Sequence, residues 1–186
     1  MRLTMHVDTM RAMFDARLDH VAIAVRDMHS AIGLWTRTLG ARFMFAGDRP
    51  DQGFRWAQFA LPAGGKIELV TATDPNGFVA RFIERRGEGV HHVTLKVDLI
   101  ENAIRRLEGH GIPLFNVHVE DERWKEAFIH PRDANGTLVQ LAQSSISDED
   151  AARHHLLPHE DSDHRHVTLE ELLDHEEEVP ASPDRT

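Results

Sequence analysis

The chain has 186 residues and no cysteine, enough for one well-packed domain with tails and without disulfides, thiolate metal ligands or a thiol nucleophile. Its formal charge of −10 lies in the stretch from Ser144 onward, which holds 13 acidic and 3 basic residues, while the rest of the chain holds 18 of each sign. A neutral body with an acidic tail offers no footprint for nucleic acid, and no apolar run reaches membrane-spanning length, so a cytoplasmic protein without nucleic-acid or membrane partners is expected.

Residues 1–17 place Met5, Met10, Met13 and Phe14 among polar residues with Asp8 and Asp15, which suits an N-terminal packing arm rather than a secretory leader. From Leu18 the string LDHVAIAV alternates as a strand, with Val21, Ile23 and Val25 on one face and His20, Ala22 and Ala24 on the other. Asp27 suits the cap of a helix whose apolar stripe is Met28, Ile32, Leu34 and Trp35 and which Gly40 ends. ARFMFAG reads as a strand, DRPDQG as a loop, and FRWAQFALP and KIELVTA as a hairpin around PAGG. Asp74 and Pro75 occupy the cap and first-turn positions of a linker helix, FVARFIERRG.

The second half repeats this order. Shifted by 72 positions, His20 falls on His92, Val21 on Val93, Val25 on Val97, Glu68 on Gln140 and Leu69 on Leu141. A repeat of this length indicates a duplicated half-domain. HHVTLKV is the strand, residues from about Leu99 to Glu108 the helix, with Asp98 and Glu101 spaced as a capping box, and PLFNVHV, WKEAFIHP and TLVQLAQ the remaining strands. The predicted fold is therefore α+β, a tandem βαβββ domain over 18–143 with modules of about 18–89 and 90–143. Residues 144–186 form an acidic, histidine-rich tail. In it Ser147 suits a cap and Thr168 with Glu171 a capping box, with Val167 and Leu172 as a hydrophobic staple; a largely solvated tail is the expectation.

Strand parity puts His20, Glu68, His92 and Gln140 together on the polar face of otherwise apolar strands, where an uncompensated carboxylate is costly. Two imidazoles, a carboxylate and an amide oxygen make a donor set for a divalent ion of borderline softness; the other reading is a hydrogen-bonded core network without metal. By the same offset Phe54, Trp56 and Gln58 match Glu126, Phe128 and His130. Trp56 and Phe128 are candidates for an apolar substrate wall with Gln58 beside them. Glu126 is expected as an exposed strand-end carboxylate or a second base, His130 as structural, and His91 as pointing away. Thr94 and Lys96 continue the inward row of His92, and Lys96 is a candidate for attracting an acidic substrate.

The strings LDHVAIAVRD, GKIELV, GVHHVTLKVD and FIHPRDANGTLVQL resemble the vicinal oxygen chelate superfamily, which includes glyoxalases and bleomycin-resistance proteins, over residues 18–143, and within it the methylmalonyl-CoA epimerases. The resemblance implies a curved mixed sheet around a divalent ion such as Co, Ni, Mn or Zn, with Fe less favoured. It also implies ligands at His20, Glu68, His92 and Gln140, and a homodimer. It further implies enolisation of an acyl-CoA-like small molecule, with Glu68 as base. Two positions depart from those epimerases, which carry a glutamate where this chain has Gln140 and, in some bacteria, another where it has Trp56. A glyoxalase-type lyase, an iron-dependent ring-cleaving dioxygenase and a non-catalytic small-molecule binding protein remain as alternatives.

Overall fold

The computed structural model describes residues 15–154 and 165–174. The expected arm over 1–14 and the tail segments 155–164 and 175–186 lie outside them. The first half runs β1 (Ala16–Ala24), α1 (Met28–Gly33), a π-helical turn (Leu34–Thr38), β2 (Arg42–Arg49), β3 (Phe54–Ala60) and β4 (Lys66–Ala72). The linker helix α2 (Phe78–Arg86) leads to β5 (Gly89–Val97), α3 (Ile100–Gly109), β6 (Leu114–His118), β7 (Trp124–Ile129) and β8 (Val139–Ser144). Tandem βαβββ units are therefore present in the order expected. One mixed, open sheet carries all the strands in the order β6-β7-β8-β5-β1-β4-β3-β2, with a ninth strand, β9 (Arg165–Val167), beyond β2. Each half pairs its first and last strand in parallel, β1 with β4 and β5 with β8, and the halves meet where β1 runs antiparallel to β5.

Parity sorts the side chains as the alternation requires. Ile67 and Leu69 pack with Val25, Met28, Ile32 and Phe59 under α1, while Leu141 packs with Val97, Ile100 and Ala103 under α3. The residues between them, Glu68 and Gln140, consequently face the other side of the sheet.

Three local expectations are corrected. The helical stripe breaks after Ile32: across the wider π turn Leu34 is 52% exposed and Trp35 only flanks the core. The linker helix begins at Phe78 after Gly77, because the Asp74 carboxylate accepts the Asn76 N–H at 2.8 Å and closes an Asx turn instead of capping. In α3, capped by Leu99, no Asp98–Glu101 box forms. Gln143 Oε1 accepts the Ile100 N–H at 2.9 Å, and Glu101 accepts from Lys125 Nζ at 2.9 Å.

The tail is not wholly solvated. Past β8 the chain forms α4 (Asp148–His154), β9 (Arg165–Val167) and α5 (Leu169–Leu173). β9 pairs with β2 and so covers backbone groups that an edge strand leaves open. Asp48 accepts from Arg55 Nε at 2.5 Å and from Arg165 Nη2 at 2.9 Å, fastening the new strand electrostatically. The Thr168–Glu171 capping box is present, and Val167 and Leu172 are fully buried in the α1 core. Among the described residues no helix is long and apolar enough to cross a membrane.

Candidate metal and substrate site

The two halves deliver their polar residues to one place. One ligand atom from each of His20, Glu68 and His92 lies within 4.8 Å of the others, with His20 Nε2 3.5 Å from Glu68 Oε2 and His92 Nε2 3.8 Å from Glu68 Oε1. Gln140 joins them through Thr94, whose hydroxyl donates to Gln140 Oε1 at 2.6 Å and stands 3.0 Å from His20 Nε2. His20, Glu68, His92 and Gln140 are all buried. The strands fix this arrangement: Lys66–Val70 of β4 pair in register with His20–Ala24 of β1, and Gln140 pairs with Thr94.

Each histidine is oriented by the residue before it. A register shift in β1 between Leu18 and His20 lets the Asp19 carboxylate accept from His20 Nδ1 at 2.7 Å. His91 Nδ1 lies 2.9 Å from His92 Nδ1, so one ring donates to the other. Both contacts are made at Nδ1 and leave Nε2 on the side of Glu68, the arrangement that lets an imidazole bind a metal through Nε2 when Nδ1 carries the proton. The offset of 72 pairs Asp19 with His91, so a doublet before each histidine was the available signal. His91 does not point away as expected; its ring packs edge-on to Phe82 at 4.8 Å between centroids and lines the cavity.

Burial drives the electrostatics. It raises the Glu68 carboxyl above its ordinary value, against the opposing influence of His20 and a hydrogen bond from Gln58 Nε2 at 2.9 Å. Burial pushes His92 well below its ordinary value, helped by His20 and His91 and opposed by Gln140, and takes His91 down to about 4. Asp19 is lowered: its burial acts upward but is outweighed by the hydrogen bond from His20 and by Lys66 and Lys96. Two imidazoles beside a buried carboxylate form a donor set that a divalent ion would complete. The buried Gln58 Oε1, which has no hydrogen-bond partner among the described residues, fits the same conclusion.

A cavity of about 720 Å³ opens over these residues. Trp56 and Phe128 line it, and Gln58, two residues from Trp56 on β3, stands opposite Glu68 and donates to it. The backbone of Gly47 approaches the indole so closely that a Cβ there would meet the ring at 3.0 Å. His130 lines the cavity while its Nδ1 also accepts the Arg132 N–H at 3.2 Å. Lys96 does not reach it. Its Nζ pairs instead with Asp148, the first residue of α4, at 3.0 Å and with Asp19 at 3.4 Å. Arg49, which pairs with Asp51, and the exposed Arg81, Arg85 and Arg86 also line the cavity, a cationic group absent from the sequence expectations.

Glu126 is not an exposed strand-end carboxylate. It lines the cavity, accepting from Gln140 Nε2 at 2.7 Å and from Trp124 Nε1 at 3.0 Å. Its counterpart also changes. Gln58 pairs with Glu68 and Trp56 with Val70, whereas Phe128 pairs with Gln140 and Glu126 with Ala142. The equivalent of Trp56 is thus Glu126, and that of Gln58 is Phe128, because two extra residues in the loop between β7 and β8 change the offset to 70 on these strands. The first half carries a carboxylate at the ligand position and an indole on the third strand; the second carries an amide and a carboxylate.

Paired βαβββ units with a His/Glu cluster where they meet define a class of metal-centred domain, and comparison places the chain within it. A sequence model described as the glyoxalase/bleomycin resistance protein/dioxygenase superfamily matches residues 19–129. The chain is 36% identical over 135 residues to the ethylmalonyl-CoA/methylmalonyl-CoA epimerase of Cereibacter sphaeroides, covering 68% of this chain and 97% of that protein. It is 31% identical to the human mitochondrial methylmalonyl-CoA epimerase over 69% of this chain and 74% of that one. The crystal structure of methylmalonyl-CoA epimerase from Mycobacterium tuberculosis superposes with a TM-score of 0.63 at 32% identity, covering 69% and 88% of the two chains. This protein belongs to the glyoxalase/bleomycin resistance protein/dioxygenase superfamily, and the three relatives named above are epimerases.

Proposed function

We propose that the protein epimerises the α-carbon of a short, branched acyl-CoA of the methylmalonyl-CoA type, with Glu68 and Glu126 as its two acid–base groups. The observation that carries this reading is the pairing of those carboxylates, one from each half, in one cavity at the two ends of a polar chain through His20, Thr94 and Gln140. Inversion needs a proton removed on one face of a carbon and returned on the other, and two carboxylates that cannot exchange places provide that directly. Burial raises the Glu68 carboxyl toward the range of a working base. Gln140 cannot exchange a proton at neutral pH, but its amide N–H holds Glu126 in place.

His20, His92, Glu68 and Gln140 would hold a divalent ion such as Co, Ni, Mn or Zn. Bound there, it supplies Lewis-acid polarisation of two neighbouring substrate oxygens. Trp56 and Phe128 exclude water from the α-carbon, and the Arg49, Arg81, Arg85 and Arg86 group suits the phosphates of a coenzyme A thioester. The relatives' names support the same substrate class. The test is incubation of the metal-loaded protein with single-isomer methylmalonyl-CoA in deuterium oxide. Inversion with deuterium at the α-carbon is expected. No exchange with any malonyl-type thioester, despite a bound ion, would reject the reading.

A further inference from the structure

The superfamily match ends at residue 129, and 97% of the bacterial relative is accounted for by 68% of this chain. α4 lies beyond that match, yet it reaches the base of the metal site. Asp148, its first residue, accepts from Lys66 Nζ at 2.7 Å and Lys96 Nζ at 3.0 Å. Those lysines come from different halves of the domain, β4 and β5, and both turn onto one carboxylate: Lys66 Nζ is 3.0 Å from Asp19 Oδ2 and Lys96 Nζ 3.4 Å from Asp19 Oδ1. Asp19 in turn holds His20 Nδ1 at 2.7 Å. Asp19 and Lys96 are buried and Lys66 and Asp148 half-buried, so the four charges balance as two cations and two anions where water screens them only in part.

The balance sets how strongly Asp19 can act on His20. With Asp148 present, each ammonium divides its attraction between two carboxylates. Without it, both bear on Asp19 alone and compete with the imidazole N–H for the same oxygens. We propose that Asp148, supplied by the C-terminal extension, is a positioning residue for the metal centre, holding Lys66 and Lys96 so that Asp19 keeps His20 oriented and electron-rich toward a divalent ion. This rests on the metal-site reading above. Partners just outside a metal's ligands change its affinity by roughly 10–100-fold. Asp148 stands three contacts from His20, through a lysine and Asp19, so the lower end, about tenfold, is expected.

The experiment is a cobalt(II) titration of the full-length protein against a competing chelator, with absorption spectra and melting temperatures recorded. Asp148→Asn keeps the shape and removes the charge, Asp148→Glu restores the charge, and Asp48→Asn loosens β9 without touching the Lys66–Lys96–Asp19 group. Expected are about tenfold weaker cobalt binding with a shifted absorption band for Asp148→Asn, recovery for Asp148→Glu, and a lower melting temperature with unchanged affinity for Asp48→Asn. Wild-type affinity and spectrum in Asp148→Asn would overturn the inference alone. So would affinity losses in Asp148→Asn and Asp48→Asn that simply follow their melting temperatures. Failure of the wild-type protein to bind cobalt would overturn the metal site and this inference together.

Discussion

Replacing Glu126 by glutamine removes one proton-transfer group while keeping its shape. In the structure its Oε2 accepts from Gln140 Nε2 and Trp124 Nε1, and an amide oxygen can accept both, so the fold and the metal ligands should survive. General acid–base groups contribute about 10²–10⁴-fold, so epimerisation should fall by that factor, ~3–5 kcal/mol in barrier. The pattern matters more than the size. Glu68 still abstracts the proton on its own side, but return from the far side is lost. One epimer should then exchange its α-proton with solvent deuterium without inverting, while the other becomes nearly inert. Glu68→Gln should show the opposite preference. The assay is proton NMR of each purified epimer in deuterium oxide, with chirality followed by a stereospecific coupled enzyme. Equal exchange of both epimers by the Glu126→Gln protein at wild-type rates would refute a two-carboxylate mechanism.

Three further outcomes follow from named contacts. Arg85 and Arg86 line the cavity and are exposed, without an ion pair among the described residues; their double alanine variant should raise KM for the CoA thioester about tenfold at low salt and leave kcat nearly unchanged, checked by steady-state kinetics at two ionic strengths. Leu172→Ala, at a fully buried position of α5, should cost about 2–3 kcal/mol in urea unfolding, and a loss near zero would mean that α5 does not dock in solution. His91, held near 4 by burial, binds its proton more readily unfolded than folded, so the metal-free protein should lose stability as pH falls from about 6.5 toward 4. Its share is at most about 3 kcal/mol, and His91→Gln should flatten the slope measured by denaturant unfolding at pH 7 and 4.5.

The sequence by itself determined the duplicated βαβββ architecture and the gathering of His20, Glu68, His92 and Gln140. Both follow from period-two alternation and a constant offset, which are properties of the chain read in line. Strand parity alone decides that Glu68 and Gln140 face away from Ile67, Leu69, Val139 and Leu141. What the sequence left open was set by lengths of loops and by contacts between distant segments. Two extra residues between β7 and β8 make Glu126, rather than Phe128, the counterpart of Trp56, and so place a carboxylate there. The bulge beside His20 brings Asp19 under the imidazole although neighbouring strand residues ordinarily point to opposite faces. Lys96 sits in the inward row of His92, but its ammonium pairs with Asp148 of α4 and with Asp19 instead of entering the cavity. Alternation assigns a side chain to a face. Which partner waits there depends on the tertiary path of segments more than fifty residues away, and that the structure alone decided.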